Sequence, residues 1–97
     1  MEAKVADPRT WEARIAKIAD EDTRHTAERA LKMLPKRLRK IRKSADMTLK
    51  EVANETGVTW QAISQMERGV GTGSVLNICI LAVYYGVSVD WLLGDEW

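Results

Sequence analysis

The chain has 97 residues, 45% hydrophobic and 30% charged. That suits one ordered domain with a modest core and argues against disorder. Its single cysteine, Cys79, rules out an internal disulfide, and its longest apolar run, from Ile78 to Tyr85, falls far short of the roughly 18–20 residues of a membrane span. The formal net charge is only +1, but it is unevenly placed: Lys32, Lys36, Arg37, Arg39, Lys40, Arg42 and Lys43 run without an acid, whereas from residue 44 onward Lys50 and Arg68 face seven acidic residues.

In chain order, Asp7-Pro8 reads as an N-cap followed by proline at the first helical position. Trp11, Ile15 and Ile18 then recur at i, i+4 and i+7, one face of a helix. After the acids Asp20, Glu21 and Asp22 comes a second helical stretch with Ala27, Ala30, Leu31 and Leu34. Neither glycine nor proline separates the two, so one continuous helix remains open. Pro35 is expected to break the helix and open another, running to about Ala45 with Leu38 and Ile41 inward. Asp46 marks a turn.

Thr48 with Glu51 three residues on forms a capping box, and Val52 and Ala53 face the core. Gly57 ends that helix in the left-handed conformation. Thr59 caps the next, with Ile63 and Met66 inward, and Gly69 closes it. A glycine-rich loop over 69–73 leads to Ser74, which caps a helix ending at Gly86; Ser88 opens a short last helix closed by Gly94. No strand pattern and no repeat is found. Such short helices hold only through mutual packing. Cys79 lies in an apolar run and reads as a core residue, with a reactive thiol as the alternative.

The helices 48–56 and 59–68 are joined by a turn at Gly57, where small Ala53 allows close approach and Val58 and Ile63 lock the pair. This Ala-x-x-x-Gly-Val-x-x-x-x-Ile spacing, flanked by capped short helices, is a helix-turn-helix pattern. At 100° per residue, Trp60, Gln61, Ser64, Gln65 and Arg68 share one arc of about 140°, opposite Ile63 and Met66. Gln61 and Gln65 suit adenine, whose N6 and N7 a glutamine amide meets together. Trp60 has three readings: against a thymine methyl, along the sugar-phosphate backbone, or packed on the turn. Ser64 reaches a base or a phosphate. Thr48 and Thr59 set helix N-termini toward phosphates, and Lys43, Lys50 and Arg68 are further phosphate candidates.

The run 47–69 resembles the XRE family of Cro-type, lambdoid phage repressor-like helix-turn-helix proteins, and the tail 86–93 is similar to the closing helix of those repressor domains. The resemblance spans about residues 36–94. It implies a five-helix phage-repressor-like domain at 35–97; the extra N-terminal helical extension at 1–34 lies outside the resemblance, is read from its own helix faces as packed on that domain, and completes an all-α fold. It further implies a third helix in the major groove and a homodimer on a palindromic site of double-stranded DNA. Gln61 and Gln65 match base-reading positions of the resembled repressors. Arg42 and Glu67 match positions that pair as a partly buried, mainly structural ion pair, with a secondary phosphate role for Arg42. Two departures weaken the expected phosphate grip. Leu49 stands where the family often has a glutamine, and the loop 69–73 carries no charge where phage repressors are often basic. Affinity is then expected from Lys36 to Lys43 or from the N-terminal extension.

Val75, Ile78, Leu81, Ala82 and Tyr85 match the family's core positions, while Leu76, Ile80 and Val83 form a second apolar stripe on a face that is usually polar. Two coverings are expected for it: the Trp11/Ile15/Ile18 face of the extension, or a second copy of the chain, with Trp97 nearby. His25 is the only histidine, which leaves no His-based metal cluster or Ser-His-Asp triad, and no phosphate-binding glycine loop with its lysine is present. No enzyme activity and no cofactor are expected. The N-terminus lacks the apolar core of a secretory signal, and the expected location is the cytoplasm, on the nucleoid when DNA-bound. Two functions follow, and a third, a helix-turn-helix fold kept purely for protein contacts, is disfavoured by the amide-rich exposed face. One is a transcriptional regulator, a repressor that excludes polymerase. The other is an antitoxin or anti-repressor type interaction protein, holding a partner through residues 1–33 with DNA binding secondary.

Overall fold

The computed structural model describes residues 10–71 and 73–95. Six helices appear among them: α1 (Trp11–Ala16), α2 (Glu21–Ser44), α3 (Leu49–Thr56), α4 (Trp60–Arg68), α5 (Val75–Tyr85) and α6 (Val89–Leu92), with no strand. The expected start at Asp7-Pro8 lies outside the described residues; α1 is capped instead by Thr10, whose hydroxyl accepts from the Ala13 N–H at 3.2 Å.

α1 and α2 are separate helices although no glycine or proline divides them. Asp20 ends the intervening turn by accepting the Thr23 N–H at 2.9 Å, so a side-chain cap starts α2 where propensity alone offered no stop. The Thr23 hydroxyl also donates to Asp20, and these bonds hold its carboxyl below the ordinary range. Arg24 donates to the Ile18 carbonyl at 3.1 Å and closes the turn.

Pro35 does not open a helix. It lies within α2, which runs unbroken through 24 residues, about 36 Å. Proline inside a helix costs about 3 kcal/mol through its missing N–H and its clash with the carbonyl four residues back. Here Leu34 and Leu38 flank it, 2% and 1% exposed, and their packing outweighs that cost. The proline ring also faces the end of α4, near Gly69.

Local signals from Thr48 onward are realised as read. The Thr48 hydroxyl accepts from the Glu51 N–H at 3.1 Å, and the Glu51 carboxylate accepts from the Thr48 N–H at 3.0 Å. Thr59, Ser74 and Ser88 cap α4, α5 and α6 in the same way. Gly57 takes φ 78°, the left-handed conformation that lets α3 stop sharply before α4. Thr56 braces this turn, donating to the Val52 carbonyl and accepting from the Val58 N–H. One core joins α2 through α6, with Leu38, Val52, Ile63, Met66, Leu81 and Leu92 at its centre.

Three expectations for α5 and α1 are corrected. Val75 is not a core residue but 79% exposed. Cys79 is exposed as well; at i and i+4 these two share the outer face with Val83. Third, α1 does not cover the α5 stripe. It packs on α2, with Ile15 buried and Trp11 and Ile18 beside Leu31, while Leu76 and Val83 stay 68% and 83% exposed. The turn between α1 and α2 has only four residues (17–20), spanning at most about 14 Å, so α1 folds back along the helix that follows it.

Candidate nucleic-acid interface

α3 and α4 form the two arms of a helix-turn-helix. α4 is fixed from behind: Ile63 and Met66 are 0% and 1% exposed, and they set the rotation of the helix about its axis. That rotation turns Trp60, Gln61, Gln65 and Arg68 to the surface, with Ser64 half-buried between them. Among the described residues, the amides of Gln61 and Gln65 make no hydrogen bond within the chain. Both keep their full donor and acceptor capacity. Trp60 is 43% exposed, so much of its indole remains open to a partner.

Arg68 bends back along α4. Its Nε donates to the Ser64 carbonyl at 3.3 Å and to the Ser64 hydroxyl at 3.2 Å. The Ser64 hydroxyl is therefore already an acceptor, and it has its proton and a second lone pair left to offer. The hydroxyls of Thr48 and Thr59 likewise accept a backbone N–H in their caps, which leaves each its proton. What the two helix starts present to an anion is these hydroxyl protons, their first-turn backbone N–H groups and the positive end of each helix dipole. Lys43 and Lys50 are exposed near the start of α3.

Arg42 and Glu67 tie α2 to α4. Arg42 Nε and Nη2 donate to the two Glu67 oxygens, each at 2.8 Å, and Nη1 donates to the Met47 carbonyl at 2.9 Å. The side chains are 13% and 5% exposed, so the pair is mostly withdrawn from water. The bonds to Glu67 push the Arg42 pKa further up against the opposing effect of burial. Of the five guanidinium N–H groups three are engaged, leaving at most two for a phosphate. Tyr85 lies against the same pair; burial, with the Glu67 charge nearby, pushes its hydroxyl up to about 12, and among the described residues that buried hydroxyl has no hydrogen-bond partner.

Two roles were not legible in the basic run. Arg37 belongs to the inner side of α2: its Nη1 donates to the carbonyls of Trp91 and Asp95, and its guanidinium sits 4.6 Å from the centre of the Trp91 ring. It fastens α6 to α2, with Nη1 committed to those carbonyls and the guanidinium held at the Trp91 ring. Its phase was the available signal, since Leu34, Arg37 and Ile41 recur at i, i+3 and i+7. Arg39, by contrast, lines a cleft of about 210 Å³ together with Leu49, Ser64 and Arg68, beside the exposed face of α4.

The comparisons agree with this geometry. A family model described as Helix-turn-helix matches residues 38–92, more than half of the chain. No curated protein and no solved structure matches it. Among the described residues no helix is long and apolar enough to cross a membrane. With the capped pair α3–α4, the outward amides of α4 and the matched span together, the chain belongs to the XRE family of helix-turn-helix proteins and is a DNA-binding transcription regulator of that type.

Proposed function

We propose that the protein is a repressor that binds a palindromic double-stranded DNA operator as a homodimer, with α4 in the major groove. The observation that carries this reading is the exposed face of α4, where two unpartnered amides stand on a helix locked from behind. Gln61 and Gln65 read adenines, Trp60 packs on a thymine methyl or the adjoining sugar, and the Ser64 proton reaches a base acceptor. Lys43, Lys50 and Arg68, with the helix starts at Thr48 and Thr59, hold the backbone on either side. Occupying a promoter in this way excludes polymerase.

The dimer reading is supported by α5. Its eleven residues carry no charged side chain, and Val75, Leu76 and Val83 are exposed beside a shallow groove lined by Cys79, Ile80 and Tyr84 of α5 and by Glu55 and Thr56 of α3. In a two-fold pair the same patch meets itself, and the uncharged apolar face of α5 does so without like-charge repulsion as long as Glu55 stays at the solvent side. Val83→Glu is expected to turn a dimer into a monomer in sedimentation and to weaken operator binding. A wild-type chain that sediments as a monomer at concentrations saturating the operator would remove the dimer from the reading.

The test of the whole is binding to the DNA upstream of the protein's own gene against a scrambled duplex, over a salt series. Lys43, Lys50 and Arg68 set six cations per dimer on phosphates, and these alone contribute about −5 to the slope of log affinity on log salt, at about 0.9 per contact. Preference for the upstream duplex is expected. Equal, weak binding to both would overturn the repressor reading in favour of an interaction protein that uses the α5 face or residues 1–33 for a partner.

A further inference from the structure

From residue 44 onward the chain has two basic residues against seven acidic ones, a net charge of −5. This part contains all of α3, α4, α5 and α6, and its loop after α4 has no charge to offer a phosphate. A unit of that charge is repelled by a duplex unless cations are supplied from elsewhere in the fold. α2 is the element that has them. Lys32, Lys36, Arg39 and Lys43 lie at i, i+4, i+7 and i+11, within an arc of about 60° at 100° per residue. All four are exposed. Arg37 and Arg42 are diverted inward to Trp91 and Glu67, and Lys40 stands to one side, so this stripe is what the basic run leaves for a partner.

Arg39 fixes the direction of the stripe. It lines the same cleft as Ser64 and Arg68, so the stripe adjoins the DNA-facing side of α4 and is not on the far side of the molecule. From Lys43 the stripe extends about 16 Å to Lys32, more than the roughly 12 Å width of a major groove. Lys32 and Lys36 precede the residues that the helix-turn-helix family matches, 38–92. The unbroken passage of α2 through Pro35 holds them in line with Arg39.

We infer that Lys32, Lys36 and Arg39 form a second phosphate-binding stripe, which extends the contact with double-stranded DNA along α2 to backbone outside the bases that α4 reads. The inference rests on the DNA-binding reading above. It gives the long second helix a use: α2 supplies the charge that the loop 69–73 lacks. Because phosphate contacts carry no base information, the stripe raises affinity for every duplex and leaves the preference among them to α4.

The experiment compares the wild-type chain with the triple variant Lys32→Gln, Lys36→Gln, Arg39→Gln, each on the upstream duplex and on a scrambled one, over a salt series. With the stripe engaged, a dimer sets twelve cations on phosphates, for a wild-type slope of about −11; the triple variant is expected to fall to about −5. The ratio of upstream to scrambled affinity is expected to stay the same. A companion Lys32→Arg, Lys36→Arg variant is expected to keep the wild-type slope, and circular dichroism checks that each variant is folded. A wild-type chain that prefers the upstream duplex while the folded triple variant keeps its slope would overturn the stripe alone. A wild-type chain without preference overturns the repressor reading. A wild-type chain that binds neither duplex overturns both.

Discussion

Replacing Gln61 and Gln65 together by alanine is expected to abolish the distinction between the operator and a scrambled duplex while leaving salt-dependent binding to both. A bidentate amide–adenine contact is worth about 1–3 kcal/mol of discrimination, or roughly five- to 150-fold for each glutamine in each half-site. The loss should fall on operator affinity alone. Both side chains are exposed and without internal partners, so truncating them removes no packing and strands no buried group. Thermal stability should therefore shift by less than about 0.5 kcal/mol. Residual binding, and its salt slope, should match those of the wild-type chain on scrambled DNA, because Lys43, Lys50 and Arg68 are untouched. Competition between labelled operator and unlabelled scrambled duplex measures the ratio directly. If the double variant still preferred the operator tenfold or more, base readout would have to move to Trp60 and Ser64, or to the deformability of the duplex.

The difference between what could and could not be read from the sequence follows the range of the interactions. Thr48 with Glu51, Thr59 with Ala62 and Ser74 with Asn77 are bonds between residues three apart, so the caps were legible from spacing alone. The α4 face was legible for a similar reason: two inward residues, Ile63 and Met66, fix the phase of a nine-residue helix. α5 offered no such phase. Nearly every residue is apolar, so periodicity could not say that Val75 and Cys79 face out while Leu81 and Ala82 face in. Pro35 misled because its local cost is real, and only the burial of Leu34 and Leu38 on either side outweighs it. Arg37 was hidden by composition: a run of cations reads as one patch until the helix phase divides it among α6, α4 and solvent. The packing of α1 required the tertiary arrangement, although the four residues between α1 and α2 already limited its reach.

Glu67→Ala is expected to be the most destabilising of the substitutions considered, and to act on stability before it acts on sequence preference. It removes both Glu67 acceptors of the Arg42 fork and leaves an arginine whose side chain is only 13% exposed, beside a tyrosine hydroxyl without a partner among the described residues. Removing one member of a buried pair costs about 3–5 kcal/mol. The low end is expected here, because Arg42 keeps the Met47 carbonyl and some contact with water. At 4–8 °C per kcal/mol for a domain of this size, the melting temperature should fall by about 12–24 °C. Glu67→Gln keeps an acceptor without the charge and should lose less. Arg42→Met with Glu67→Leu should recover most of the loss, since a packed apolar pair of similar volume carries no desolvation cost. That ordering separates a stranded charge from a lost contact, because loss of contact alone would make the double variant at least as unstable as either single one. Urea unfolding gives the order, and binding measured below the lowered midpoint gives the preference. Unchanged stability in Glu67→Ala, with altered sequence preference, would move the pair out of the scaffold and into the DNA interface. The fork would then hold Arg42 for a phosphate rather than α4 against α2.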